Sequence, residues 1–150
     1  MTTEWIDISD STIVRRGEPD LIETHAVRAL RSLFHRQKGT VVEIDLSGVE
    51  SSISVVHALQ EVLPFPDWCG SSWDSIDDAF VELTEMWKFP LLVLVRGLPE
   101  LLATHTHVGL NAVLMFSALT ASFGRAERQV QFVYLADGWA GDSVERTAPI

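Results

Sequence analysis

The stretch from residue 66 to residue 87, P-D-W-C-G-S-S-W-D-S-I-D-D-A-F-V-E-L-T-E-M-W, holds the side chains of this chain best suited to chemistry or recognition. Asp74 and Asp78, four residues apart, could share a magnesium ion in a phosphate-ester hydrolase. Cys69 could act as a nucleophile beside one of the five histidines. Alternatively, the acids together could attract a cationic protein. These three hypotheses place different demands on the surrounding residues.

The stretch predicts a short loop that leads into an amphipathic helix. Ser71 or Ser72 can cap the helix, and Asp74 can complete a capping box with Ser71. Spacings of three and four define one apolar stripe, which consists of Trp73, Ile76, Phe80, Leu83 and Trp87. Acids define another face, which consists of Asp74, Asp78, Glu82 and Glu85 with Asp77 beside them. No Lys or Arg follows at i+4 to neutralise these acids, so the face predicts docking onto a positive partner, with an ordinary solvated helix as the alternative.

The enzyme hypotheses find little support in the rest of the sequence. Acids near Cys69 raise a thiol pKa and oppose formation of the thiolate. His105 and His107 form an H-x-H pair, and two ligands are a weak zinc signal. No phosphate-binding glycine motif accompanies Asp74 and Asp78. We therefore expect no enzyme activity, no metal and no cofactor.

The net charge of −10 is concentrated in one third of the chain. Residues 39–87 hold ten acids and no Lys or Arg, whereas the segments on either side are balanced. Phosphate repels such a surface, so nucleic acid is not expected as a partner. The charge by itself would suit a basic protein, a cation or a metal. The single cysteine, the lack of a signal-peptide pattern and the lack of a long apolar run predict a cytoplasmic protein that does not enter membranes.

The order of apolar patterns along the chain predicts an α/β fold. A small three-stranded parallel sheet is expected to be flanked by helices, with a strand and a helix added by an amino-terminal extension. The predicted strands are residues 5–8 in the extension and residues 40–46, 90–95 and 129–135 in the sheet. The predicted helices include residues 19–35, 52–63 and 110–123, the last ended by Gly124, with a loop over residues 104–109. The predicted organisation is an extension over residues 1–39, a core domain over residues 40–137 and a loose tail over residues 138–150.

The acidic stretch, followed by the strand P-L-L-V-L-V-R, resembles the barstar family of intracellular inhibitors of a guanyl-specific bacterial ribonuclease. The resemblance covers roughly residues 41–136 and includes the pattern S-I-S-x-x-H-x-L that begins at Ser52. It implies a three-stranded parallel sheet with helices. It also implies binding, in which an acidic helix and the loop before it plug the active site of the ribonuclease.

The resemblance carries family roles onto particular residues of this chain. Asp78 matches the aspartate that enters the phosphate pocket of the enzyme, and Asp74 matches the aspartate one turn earlier. The loop aromatic residue, the glycine and the asparagine of the family match Trp68, Gly70 and Ser72. Together with the acids Asp77 and Glu82, these are the expected partner-binding residues.

Two positions depart from the family pattern. Asp77 stands where the family has a tryptophan, and Ala118 stands where it has a contacting glutamate. The partner could therefore be a barnase-like ribonuclease, another basic nuclease toxin, or a basic protein that is not a nuclease.

Overall fold

The computed structural model of the chain describes Ile6, residues 14–15 and residues 20–136. Within these ranges the chain forms one five-stranded sheet. Its strands are β1 (Val14–Arg15), β2 (Asp20–Ile22), β3 (Thr40–Asp45), β4 (Leu91–Arg96) and β5 (Val130–Leu135). The spatial order is β1-β2-β5-β4-β3, in which β2, β5, β4 and β3 are parallel and β1 pairs antiparallel with β2.

Strand β4 lies between β5 and β3 and is covered on both faces. Leu91, Val93 and Val95 point into one core, and Leu92 and Leu94 point into another. All five side chains are fully buried. A continuous apolar run is what a strand covered on both faces requires, and the predicted strand over residues 90–95 is present as β4.

Helices cover both faces of the sheet. In the described ranges they are α1 (Val27–Arg36), α2 (Ser52–Val62), α3 (Trp73–Asp78), α4 (Phe80–Met86), α5 (Leu98–Thr104) and α6 (Thr106–Arg125). Helix α1 packs on one face through Leu30 and Phe34. The other five helices bury their apolar side chains against the opposite face. The predicted α/β fold is confirmed, with the three predicted sheet strands present as β3, β4 and β5.

The amino-terminal extension contributes both a strand and a helix, but their boundary differs from the prediction. Leu21 and Ile22 were expected in a helix that begins near residue 19, and this is wrong because they form part of β2. They pair in parallel with Tyr134 and Leu135 of β5, so tertiary pairing overrides the local periodicity. The predicted strand at residues 5–8 lies outside the described residues except for Ile6, as does the tail at residues 138–150. The division into three segments stays a prediction.

Helix α6 is longer than predicted. The expected loop at residues 104–109 is wrong, because α6 begins at Thr106 after α5 has ended. Gly109 lets the two helices approach closely, since a Cβ there would lie 2.7 Å from Leu102 Cδ2. The expected cap at Gly124 is also wrong. The helix continues to Arg125, and the left-handed residue is Glu127, with φ of 59°.

The composition of α6 is unusual for a helix packed on a sheet. It is the one helix in the described ranges that is long and apolar enough to cross a membrane by those two criteria. In this fold it is a core helix, because Ala112, Phe116, Leu119 and Phe123 are buried on the sheet. Stacking of Phe116 on Phe132 of β5, with ring centroids 4.3 Å apart, fixes its position.

Candidate functional site

The acidic segment forms two short helices rather than the single helix expected. Helix α3 ends at Asp78. The backbone of the next residue, Ala79, leaves helical geometry at φ −90° and ψ 2°, and α4 begins at Phe80. The predicted apolar stripe nevertheless faces the core. Ile76, Leu83 and Trp87 are buried, and Trp73 and Phe80 pack against them. The opposite, acidic side of both helices is therefore directed to solvent.

Ser72 caps the first acidic helix. Its Oγ accepts the backbone N–H of Ser75 at 3.0 Å and lies 2.9 Å from Ser75 Oγ. The alternative capping box of Ser71 with Asp74 is wrong, because Ser71 Oγ instead donates to Gln60 Oε1 at 3.0 Å. Asp74 remains in the first turn of α3, where its charge is favourable to the helix dipole.

Two residues that the sequence did not identify hold the loop before α3. Gln60, at the end of α2, donates through Nε2 to the carbonyl of Gly70 at 3.0 Å while it accepts from Ser71. Trp87 Nε1 donates to the carbonyl of Pro64 at 2.7 Å, and its ring stacks on Phe123. Neither bond leaves a signal in the sequence, since each joins residues ten or more positions apart.

Gly70 sits where the loop meets the cap of α3. A Cβ at this position would lie 2.7 Å from Ser75 Oγ, the atom that contacts Ser72. Any larger side chain must therefore displace Ser75 or open the loop. This close approach gives a structural reason for glycine at a position that the resemblance assigns to the partner contact.

The predicted carboxylates all lie on the surface of the molecule. Asp74, Asp77, Asp78 and Glu82 are exposed. The ion pairs within the described ranges join Glu43 to Arg31 and Arg96, and Glu23 to His25. None of these cations reaches the acidic helices. The structure thus brings the predicted acids together as a surface whose charge is not neutralised by the described part of the chain.

Exposed apolar side chains accompany the acids. Trp68 is 59% exposed and lies on the surface, whereas Trp73 and Trp87 contribute to the core. Val81 is 66% exposed on α4 between the acids. Val81 was not among the predicted residues, although an apolar residue outside the buried stripe is a signal in the sequence. We call Trp68, Gly70, Ser72, Asp74, Asp77, Asp78 and Glu82 the acidic face.

The chemistry of Cys69 opposes catalysis by its thiol. Burial raises the pKa of Cys69, and the negative charge of Asp78 raises it further, as predicted from its acidic neighbours. The thiol sits 3.4 Å from the carbonyl of Gly70 and 3.5 Å from that of Ser75, where it can donate to both. A protonated thiol with these contacts serves the loop structure, not nucleophilic attack.

Within the described residues, no group of three His, Cys, Asp or Glu side chains is arranged to hold a metal ion. His105 and His107 are both exposed at the start of α6. Asp74 and Asp78 stand on α3 without a third ligand from the described chain. The exposed carboxylates of the acidic face can attract a positively charged surface.

Comparison with known proteins identifies the family of the chain. No curated protein matches the chain. The family model described as Barstar (barnase inhibitor) matches residues 39–136, about two thirds of the sequence. This match contains β3, β4, β5 and the whole acidic face. The chain therefore belongs to the Barstar (barnase inhibitor) family, which consists of non-enzymatic inhibitor proteins with ribonuclease partners.

Proposed function

We propose that this protein blocks the active site of a basic bacterial ribonuclease or nuclease toxin with its acidic face, and that it does so in the cytoplasm. One observation carries the proposal. The carboxylates of Asp74, Asp77 and Asp78 are exposed together beside the exposed indole of Trp68, and no described cation pairs with them. Carboxylates arranged in this way can occupy the positions that RNA phosphates take in a cationic cleft.

The rest of the acidic face is built to hold this arrangement before the partner arrives. The cap at Ser72 fixes the start of α3, and Gln60 fixes the loop that carries Trp68 and Gly70. A loop already ordered by such bonds loses less conformational entropy on binding than a free one. The indole offers a large rigid contact area next to the charges, as interface anchors do.

Charge also predicts how the two proteins meet. The concentrated negative charge should steer a basic partner, so the association rate should be fast at low salt and fall as salt increases. Dissociation should depend instead on the contacts of Asp78 and Trp68 once water is excluded. Salt dependence of the association rate is therefore a signature of the proposed surface.

A second candidate, a basic partner that is not a nuclease, rests on the departures from the family pattern. Asp77 replaces an aromatic residue with a charge, and Ala118 on α6 is exposed where the resemblance expects a glutamate. Each change gives the surface a different charge or shape from the one that the family pattern implies. A partner other than a barnase-like ribonuclease would fit them if its cleft were basic but shaped differently.

The experiment is calorimetric titration of the protein with a purified barnase-like ribonuclease. Asp78→Ala should weaken binding by about 2–5 kcal/mol, roughly 30-fold to several thousand-fold, because it leaves a cation of the partner unpaired. Glu50→Ala is the matched control, since Glu50 is exposed but lies before α2, outside the acidic face. Equal affinities of the two variants would show that the site is wrong. Absence of any ribonuclease binding by the wild-type chain would favour the second candidate.

A further inference from the structure

The outer side of α6 carries fewer charges than a surface helix normally does, since Arg125 in the last turn is the one Asp, Glu, Lys or Arg residue of the helix. Residues 106–124 contain no Asp, Glu, Lys or Arg. At spacings of four, four and three, the residues that face outward are Leu110, Leu114, Ala118 and Ala121, all exposed. Leu110 is 51% exposed and Leu114 is 68% exposed. We call these four residues the α6 stripe.

The uncharged surface extends beyond α6 onto α2. Asn111 Nδ2 lies 3.5 Å from Ser52 Oγ, which places the start of α2 beside the α6 stripe. Ile53, the next residue, is 55% exposed, and residues 51–60 carry no Asp, Glu, Lys or Arg. In contrast, α1 directs Arg28, His35 and Arg36 to solvent, the usual pattern. An apolar surface of this kind marks an interaction site.

The charge distribution indicates which occupant fits this surface. A basic partner would find no carboxylate on α6, whereas the acidic face offers several. A membrane surface usually attracts helices with Lys and Arg beside the apolar residues, and the net charge here is −10. Two copies of this acidic chain, however, repel each other least where neither carries charge. The surface is therefore suited to a second copy.

The α6 stripe is complementary to itself when two helices run antiparallel. Its amino-terminal half has two leucines and its carboxyl-terminal half has two alanines. A two-fold axis that crosses α6 near Phe116 places Leu114 of each copy over Ala118 of the other, and Leu110 over Ala121. Large side chains then fill the space beside small ones, and each contact occurs twice because the interface has a two-fold axis.

The ends of the helix are also compatible with this arrangement. The dipoles of two antiparallel helices attract each other. In this register the exposed Glu127 of one copy lies near the amino-terminal end of α6 of the other copy, where His105 and His107 are exposed. Arg125 is turned back along its own helix, with Nη2 3.2 Å from Ser122 Oγ. The acidic face lies on α3, α4 and the preceding loop, and none of its residues belongs to the α6 stripe.

We propose that two copies of this chain associate through antiparallel packing of α6. The acidic face takes no part in this pairing, but Ala118 of the α6 stripe is also the position where the resemblance expects a glutamate that contacts the ribonuclease. A single helix pair buries an area at the low end of specific interfaces, below about 1,200 Å², so the dimer should be weak and concentration-dependent. Salt should strengthen it, because screening reduces the repulsion between two chains of net charge −10. Binding of a basic partner responds to salt in the opposite sense.

Sedimentation velocity from low to high micromolar concentration tests the proposal. The mass should rise from 16.7 kDa towards twice that value, and further with added salt. Leu114→Glu should keep the protein monomeric, whereas Val81→Glu, on α4 and 66% exposed, should dimerise like the wild type. A wild-type monomer at all concentrations, or a dimer that Leu114→Glu leaves unchanged, overturns the proposal. Flotation of a monomeric wild type with anionic lipid vesicles would assign the stripe to a membrane instead.

Cross-linking tests the antiparallel register in a Cys69→Ser background. A mixture of Leu110→Cys and Ala121→Cys chains should form a disulfide between copies. Leu110→Cys alone should not, because about 18 Å along the helix axis separates its two copies at 1.5 Å per residue. Efficient cross-linking of Leu110→Cys with itself would show parallel pairing and contradict the proposed register.

Discussion

Gln129 binds Ile6 and holds it in the core. We expect replacement of Gln129 to lower the free energy of unfolding by more than replacement of an ordinary polar residue. The side chain is 1% exposed. Its Oε1 accepts the backbone N–H of Ile6 at 2.8 Å, and its Nε2 donates to the carbonyl of Ile6 at 2.7 Å. Ile6 is itself buried in the core under α1. One amide thus satisfies both backbone groups of a buried residue, as a neighbouring strand would.

The expected cost of Gln129→Ala follows from these contacts. If Ile6 stays in place, two buried backbone groups lose their partners, at about 1–3 kcal/mol each. If Ile6 instead leaves the core, the chain forfeits roughly 1.5–3 kcal/mol of apolar burial together with the two hydrogen bonds. Whichever route is cheaper sets the result, so we expect a loss of about 2–5 kcal/mol in the free energy of unfolding.

Urea denaturation followed by tryptophan fluorescence measures this loss. Gln131→Ala is the matched control, because Gln131 lies two residues further along the chain in β5, is partly exposed and has the same side chain. The control should change the free energy of unfolding by less than about 1 kcal/mol. If Gln129→Ala lowers the free energy of unfolding by no more than Gln131→Ala, the contact of Gln129 with Ile6 does not stabilise the fold.

Three further predictions concern Gln60, Asp45 and Cys69. Gln60→Ala should weaken ribonuclease binding by slowing association, with little change in the unfolding midpoint, because it frees the loop at Gly70 without emptying the core. The pKa of Asp45 is lowered, chiefly by backbone and side-chain hydrogen bonds from the following turn, so its contribution to stability is present above its ordinary value near 3.8 and is lost as pH falls below it. Asp45→Asn should therefore make acid unfolding less steep in that range, as followed by circular dichroism. Cys69 should react with iodoacetamide only at pH above the range of an ordinary thiol, and Asp78→Asn should lower that pH in part, because burial is the larger cause of the raised pKa.

Long periodic segments and continuous apolar runs could be predicted from the sequence because a single local rule fixes each of them. The apolar run of β4 and the buried stripe of the acidic segment follow directly from which side chains must leave water. The exposed acids of the site could be predicted for the same reason, since their charges exclude them from the core.

Features that depend on distant partners could not be predicted in this way. Strand β2 has only three residues and exists because β5 pairs with it. The bonds of Gln60 to the site loop and of Gln129 to Ile6 link residues that no local pattern connects. The break between α3 and α4 at Ala79 likewise occurs where the two helices each pack on the core.

Inhibition kinetics test the central claim, that the acidic face takes the place of RNA in the active site. Initial rates of RNA cleavage by a barnase-like ribonuclease are measured at increasing RNA concentration with several fixed concentrations of this protein. The account predicts competitive inhibition, with an apparent inhibition constant that rises linearly with RNA and a maximal rate that is unchanged. A maximal rate that falls while the Michaelis constant stays constant would contradict it, because inhibitor and RNA would then occupy the enzyme together.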